Sequence, residues 1–407
     1  MPDFDVVGGG IAGLVTARRL ALGGARVIVH EASDHLGGTL ARHEVAGIVL
    51  DAGAESFAVR GGVVAALAEE LGLAADVVSP APLAAWLHPT TGYARPLPAT
   101  SLLGVPADPL AADVVAQVGP EQARRAAVLD LAPVTGVAPE SFGALVRGRM
   151  GEPVLNLLVA PVVRGVHSMN PDDLTIARAH PALWQMVVET GGLGTAVARL
   201  RADSPAGSAV AGLRGGVHRL IDALAGELDR LGVEVRYGSR IDPASHRAAR
   251  PMVLAAPSDP GAGRKITLVT LVARQDDLDA APRGTGVLVA DGTSRIGARA
   301  LTHATAKWPW LWERTNGRHV LRLSYDGEVR DADLINRARV DAETLLGVPL
   351  PTVDAAAQIV WTRPEAITVS PPDLAAVVGE TVAGSGIAGI IAHAERIALD
   401  LLVGNSD

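Results

Sequence analysis

The chain has 407 residues, with 45 glycines, 27 prolines, no cysteine and a formal net charge of −8. That length exceeds one simple core and calls for two or three domains. A composition 48% hydrophobic and 20% charged belongs to a globular protein rather than a disordered one. The acidic balance excludes a nucleic-acid binder, whose phosphate contacts need clustered Lys and Arg. Without cysteine there are no disulfides, thiolate metal ligands or cysteine nucleophile, which fits a reducing compartment.

The first element is an apolar run, Phe4, Val6 and Val7, which reads as a buried strand rather than a basic, apolar leader, so no secretory signal is expected. Three consecutive glycines follow, and Gly8, Gly10 and Gly13 fit G-x-G-x-x-G, ahead of a helix over Ile11 to about Leu22. In a strand–turn–helix setting the first glycine makes the turn and the second admits a pyrophosphate to the backbone. The third brings helix and strand together, and the N–H groups of Ile11, Ala12 and Gly13 face the anion. Residues 26–31, RVIVHE, read as a second strand, ending in Glu31 eighteen positions after Gly13. A carboxylate there is placed for a ribose hydroxyl, or is an ordinary strand-end Glu. The whole β-α-β unit predicts a bound dinucleotide.

Residues 62–75 show helical spacing, 81–115 are proline-rich and irregular, and 120–200 are mostly helical, with helices expected near 140–150, 152–166 and 180–200. Val217, Leu220, Ile221, Leu224, Leu228 and Leu231 share one helical face, and a strand from Val233 to Tyr237 follows. Another short strand lies in 251–258. Residues 265–361 alternate strand-like runs with turns, as an antiparallel sheet does. From Val377 come a strand, a glycine turn and a final helix from Ile387 to about Leu402. The apolar stretch 374–394 is broken by Glu380 and His393 and is no membrane span. The dinucleotide-type pieces are thus split in three, which suggests a discontinuous FAD domain rather than a simple nicotinamide dehydrogenase.

By residue 57 the sequence resembles the flavin amine oxidase superfamily, through VVGGGIAGL, EASDHLGGTL and GIVLDAGAESF. Within it the chain is most similar to the protoporphyrinogen/coproporphyrinogen oxidase family in its actinobacterial form. The stretches are RPLPATSLLGVPAD (95–108), VAPVVRGVHS (159–168), LRGGVHRL (213–220), GTGVLV (284–289), ALTHATAKWPWL (300–311), HVLRLSY (319–325) and VVGETVAGSGIAGIIAHAERIA (377–398). The resemblance implies an α/β and α+β protein with a discontinuous Rossmann-like FAD-binding domain over 1–80, 205–264 and 362–407. It implies a helical insert over 81–204 covering the pocket, and an antiparallel-sheet substrate domain over 265–361. It further implies FAD-dependent oxidation of a porphyrinogen by molecular oxygen in haem biosynthesis, alongside other enzymes of that pathway. A related oxidase of an amine or polyene, or a non-catalytic flavin-binding homologue, are the alternatives.

Cofactor binding is expected at Gly8, Gly10, Ile11, Ala12 and Gly13, then at Glu31 and Ala32. The resemblance adds Gly37, Gly38 and Thr39 near the pyrophosphate and Gly53, Ala54, Glu55 and Ser56 beside the isoalloxazine. It also adds Ile241, Gly379, Glu380, Gly386, Ile387 and Ala388. Thr39 departs from the family, where Lys or Arg usually follows the glycine pair, and the chain is shorter over 241–268 and 355–377. The turn 384–389 opens the last helix, whose dipole faces the flavin pyrimidine edge or simply caps a packed helix. Ile241 sets its backbone against adenine or sits in the core. No catalytic side chain and no metal ligand is expected, and His167 and His303 read as hydrogen-bonded structural residues. Trp308, Trp310 and Trp312 alternate, so on a strand they share a face and wall a flat pocket or fill a core. Arg164, Arg322 and Lys307 are partners for substrate propionates or surface charges. The insert carries Arg147, Arg149, Glu152, Arg164, Asp172 and Asp173, so a cytoplasmic protein with at most superficial membrane contact is expected.

Overall fold

The structure, a computed structural model, describes residues 3–90, 92–167, 169–202, 210–242, 250–257, 261–293, 295–364, 374–384 and 386–404. In chain order it begins β1 (Asp3–Val7), α1 (Ile11–Leu22), β2 (Arg26–His30), β3 (Arg42–Val45), β4 (Ile48–Asp51), β5 (Phe57–Ala58), α2 (Val63–Glu70) and β6 (Val77–Val78). Then come β7 (Ala85–His88), β8 (Arg95–Pro96), β9 (Ser101–Leu102) and β10 (Val105–Pro106). Helices follow: α3 (Ala112–Val118), α4 (Pro120–Asp130), α5 (Phe142–Val154), α6 (Ala160–His167), α7 (Ile176–Ala179), α8 (Leu183–Thr190) and α9 (Leu193–Arg201). Next are β11 (Val210–Leu213), α10 (Arg219–Arg230), β12 (Glu234–Arg236), β13 (Met252–Leu254), β14 (Arg264–Ala273), β15 (Gly286–Val289) and β16 (Ala300–His303). The chain continues with α11 (Ala304–Lys307), α12 (Pro309–Trp312), β17 (His319–Asp326), α13 (Leu334–Leu346) and β18 (Ala355–Arg363). It closes with β19 (Leu374–Val377), α14 (Glu380–Ala383) and α15 (Ile387–Gly404).

These elements divide into two compact units, one of 1–80, 209–268 and 358–407, the other of 81–208 and 269–357. The first is built on a five-stranded sheet in the order β12-β2-β1-β13-β19, with every pairing parallel. Phe4, Val6, Val27, Val29 and Val253 are buried in it, as strands covered on both faces require. Helix α1 is buried at nine of its twelve positions and packs on α15 and α10. Arg18 on α1 is itself buried, and its guanidinium pairs with Glu70 of α2 at 2.7 Å and Glu227 of α10 at 2.6 Å. Burying that cation is tolerable because both carboxylates meet it.

In the second unit, helices α3 to α9 enclose an apolar core around Phe142, Leu145, Met150, Leu158 and Leu183. The expected break between helices near 150 is real: Gly151 leaves helical geometry at φ 85 and ψ 168, and Pro153 restarts the coil. The single helix expected over 180–200 is instead two, because Gly191 ends α8 at φ 77 and Asp130 accepts the Leu193 and Gly194 N–H groups at the start of α9. A seven-stranded sheet runs in the order β18-β14-β17-β16-β15-β7-β8. Its β15–β16, β16–β17 and β7–β8 pairings are antiparallel, whereas β7 joins β15 in parallel, so part of the stretch expected to be irregular supplies a strand.

The strand expectation for the tryptophans is corrected. Residues 304–312 form two short helices, because Pro309 lacks an N–H and fixes φ at the first helical position of α12. Trp308 and Trp310 are buried, while Trp312 is half-buried and lies against His319 with ring centroids 4.8 Å apart. Helix α13 was likewise unexpected within a stretch read as strands and turns.

Candidate functional site

The glycines of the first turn differ in what surrounds them. Gly8 has φ +113, which only glycine adopts freely, and its N–H donates to the His30 carbonyl at 2.8 Å. At Gly13 a Cβ would run into the carbonyl oxygen of Gly8, so this glycine lets α1 rest on the turn. Gly9 is also confined: a Cβ there would lie 2.9 Å from the Glu31 carboxylate. Gly10 alone of the four faces open space, with nothing within 4 Å of its would-be Cβ. It stands before the first turn of α1, which has no side-chain cap and no acidic residue. That leaves the N–H groups of the first turn for an external acceptor.

Glu31 does more than end a strand. Its carboxylate accepts the Gly9 N–H at 2.7 Å on one oxygen, and the Ser33 N–H and hydroxyl, each at 2.8 Å, on the other. It therefore fixes the glycine turn from β2. Gly37 donates to the Gly9 carbonyl at 2.9 Å and pairs with Gly10 as an isolated parallel bridge. Gly38 approaches so closely that its would-be Cβ lies 3.8 Å from Gly10 Cα. Thr39 has an exposed side chain, and its carbonyl leaves no room for a Cβ at Gly53. Gly379 meets the same turn, its would-be Cβ 3.5 Å from Ala12 and 3.6 Å from the Ala255 carbonyl.

Ala32 and Ala54 are exposed, and Glu55 and Ser56 are half-buried ahead of β5. Ile241 packs against Val7, Met252, Leu254 and Val377 at the ends of the parallel strands. The Glu380 carboxylate is held by Arg363 at 2.9 Å. Gly386 has φ +114 and open space around its would-be Cβ, as at Gly10, while Ile387 is buried in the core and Ala388 packs on it. Within the second unit Arg164 is already paired with Asp291 and hydrogen-bonded to Asn170. Arg322 is buried on β17, and Lys307 lies over the Trp308 ring at 5.1 Å.

His303 is a buried structural histidine, as expected, with Nε2 3.0 Å from His319 Nδ1; His319 Nε2 in turn meets Asp279 at 3.0 Å. Burial pushes His303 down to about 3 and lowers His319 as well. The side chain of His167 lies outside the described residues. Sequence reasoning missed Gly9 and Asp51. The Asp51 carboxylate, at the end of β4, accepts from the N–H groups of Val217 and His218 and from the His218 ring. Only its pairing of LD with GGVH could have signalled that.

A parallel sheet whose first βα turn is cradled in glycine, with open space at Gly10 and an uncapped helix start, defines a dinucleotide-binding protein of Rossmann type. The family model described as flavin containing amine oxidoreductase matches residues 11–242, more than half of the chain, and the protein belongs to that family. Its cofactor is accordingly FAD, and the open cradle and uncapped helix start suit the pyrophosphate of that group. The chain is 29% identical over 275 residues to coproporphyrinogen III oxidase of Propionibacterium freudenreichii, covering 58% of this chain and 51% of that one. It is 28% identical over 403 residues to coproporphyrinogen III oxidase of Mycobacterium leprae, covering 88% and 86%. The alignments with the first curated relatives span about half of those proteins' length. A solved structure from Exiguobacterium sp., assigned as a protoporphyrinogen oxidase, superposes with a TM-score of 0.82 over 99% of both chains at 22% identity, a likeness of fold.

Proposed function

We propose that this protein is an FAD-dependent, oxygen-using oxidase that converts coproporphyrinogen III to coproporphyrin III. The observation that carries this reading is the alignment with the Mycobacterium leprae coproporphyrinogen III oxidase over 88% of the chain. A porphyrinogen has sp³ meso carbons, and its aromatisation removes six electrons as three hydrides and three protons, which three oxygen molecules take up as three of hydrogen peroxide. When bound, FAD supplies the two-electron acceptor for each step. The gain of aromaticity drives the oxidation, so the chain needs no strong base, and no side chain is assigned a proton-abstracting role.

What the chain contributes is binding and orientation. In this reading the first turn of α1 donates its N–H groups to the pyrophosphate across Gly10, with Gly37, Gly38 and Thr39 beside it. Glu31 accepts a ribose hydroxyl while keeping Gly9 in place, and Ala32 continues that edge. Gly53 to Ser56 border the isoalloxazine, Ile241 the adenine, and Gly379 and Glu380 the backbone return. The start of α15 at Gly386, Ile387 and Ala388 stabilises negative charge at the pyrimidine edge. Arg164, Arg322 and Lys307 are the proposed partners of substrate propionates. The protein works in the cytoplasm with at most superficial membrane contact.

Purified protein is offered coproporphyrinogen III and protoporphyrinogen IX, with oxygen uptake and porphyrin fluorescence recorded together. Faster fluorescence from the coproporphyrinogen is expected. Oxygen uptake with an amine, and none with either porphyrinogen, overturns the reading.

A further inference from the structure

We infer that the buried Asp51–His218 pair positions the FAD site, locking the backbone that leads into Gly53–Ser56 onto the start of α10. The inference rests on the assignment of FAD to the glycine turns of the first unit. Both side chains are 6% exposed, and Asp51 Oδ1 lies 2.8 Å from His218 Nδ1. The same carboxylate accepts the Val217 N–H at 3.0 Å and the His218 N–H at 2.8 Å. Three donors therefore converge on one carboxylate, and the ring nitrogen is the only one supplied by a side chain.

Each end of the pair leads to a glycine turn. On the Asp51 side, the next residue, Ala52, donates to the Ala41 carbonyl at 2.8 Å, and Gly53 abuts the Thr39 carbonyl. On the His218 side, Ile221 of α10 lies 3.4 Å from the would-be Cβ of Gly37, the glycine whose N–H donates to Gly9. One carboxylate and one imidazole thus tie together three backbone turns that line the cradle. The chain makes room for the ring at Gly216, which has φ +107 and where a Cβ would collide with His218 Nδ1 and lie 3.0 Å from Asp51 Oδ1. A histidine that merely filled core would not need a glycine opposite its ring and a carboxylate fixed by two backbone donors.

Loss of the ring donor leaves Asp51 one bond short and loosens its hold on Ala52 and Gly53, while the two backbone bonds still keep β4 against the start of α10. His218→Ala and His218→Asn are compared with wild type by titrating FAD into each apoprotein, recording the visible bands of the bound flavin and the melting temperature of the apoprotein. An Asn amide reaches the place of Nδ1–H, so it keeps the donor. The expected result is an FAD affinity about tenfold weaker in His218→Ala with displaced flavin bands, and near wild-type affinity and bands in His218→Asn. Wild-type affinity and bands in His218→Ala overturn the inference, as does a lowered melting temperature with unchanged FAD affinity. Should His218→Ala not fold, amide exchange in the wild type decides: FAD should slow exchange at Val217 and His218, and unchanged rates there overturn the pair's role. Failure of the wild-type apoprotein to take up FAD would remove the cofactor assignment itself.

Discussion

Neighbouring glycines in the first turn answer to different forces, and substitutions separate them. Gly10 has φ −77 and ψ 178, which any residue adopts, and its would-be Cβ meets open space. Gly10→Val should therefore leave the apoprotein folded yet abolish FAD binding, because the branched side chain fills the cradle; a flavin titration beside a melting curve reads both. Gly13→Ala should do the reverse and lower the melting temperature, since its methyl meets the Gly8 carbonyl. Glu31→Ala removes the acceptor of the Gly9 N–H as well as the expected ribose contact. Its FAD affinity should fall by about 1.5–3 kcal/mol, the value of hydrogen bonds to a charged group. The spacing of Gly8, Gly10, Gly13 and Glu31 was visible in the sequence because the tight strand–turn–helix junction repeats it wherever it occurs. The bond from Gly9 to Glu31 was not, because it depends on how β2 lies beside β1.

Among the elements, the junction of β16, α11 and β17 is held by His303 and His319, where burial disfavours the charged imidazolium at both rings. In the unfolded chain each histidine takes a proton below about pH 6.5. Folded His303 resists protonation until about 3, so the unfolded state binds the proton first and stability falls as pH drops from 6.5 towards 3. Between pH 7 and 5 the loss from His303 should approach roughly 1 kcal/mol per pH unit, and the lowered His319 adds to it in the same direction. Urea midpoints across that range should show a shallower slope in His303→Gln than in wild type. The same region shows where sequence patterns ran out. Alternation of Trp308, Trp310 and Trp312 has the period of a strand, but Pro309 decides the backbone, and three tryptophans in five residues satisfy either geometry. Helix α13 buries Leu334, Ala338, Asp341, Ala342, Leu345 and Leu346, a face whose middle is two alanines and an aspartate, which weakens the helical signal. Strand β7 was hidden because its partner in parallel, β15, lies about two hundred residues away. By contrast α10 was plain, because Leu220, Ile221, Leu224 and Leu228 are large and evenly spaced.

For the molecule as a whole, FAD should be held without a covalent bond, since the chain has no cysteine and none of its histidines stands in an attachment motif. Acid precipitation should release the yellow colour to the supernatant; colour left in the pellet contradicts this. No helix among the described residues is long and apolar enough to cross a membrane. The charges of the insert are largely engaged with one another, Arg147 with Glu152 and Asp172, and Arg149 with Asp130. Fractionation without detergent should leave the protein in the supernatant, and recovery only after detergent extraction would show deeper docking. Strand β1 needs β13 as a neighbour, β13 needs β19, and α1 rests on α15, to which Arg19 is tied through Glu395. On the ribosome the glycine turn is therefore made well before the strands and helix that support it, and it waits with one flank of α1 bare until they follow. A lesion in α15 would consequently be felt at the glycines ahead of α1, far from it in the chain but joined to it through the α1–α15 packing.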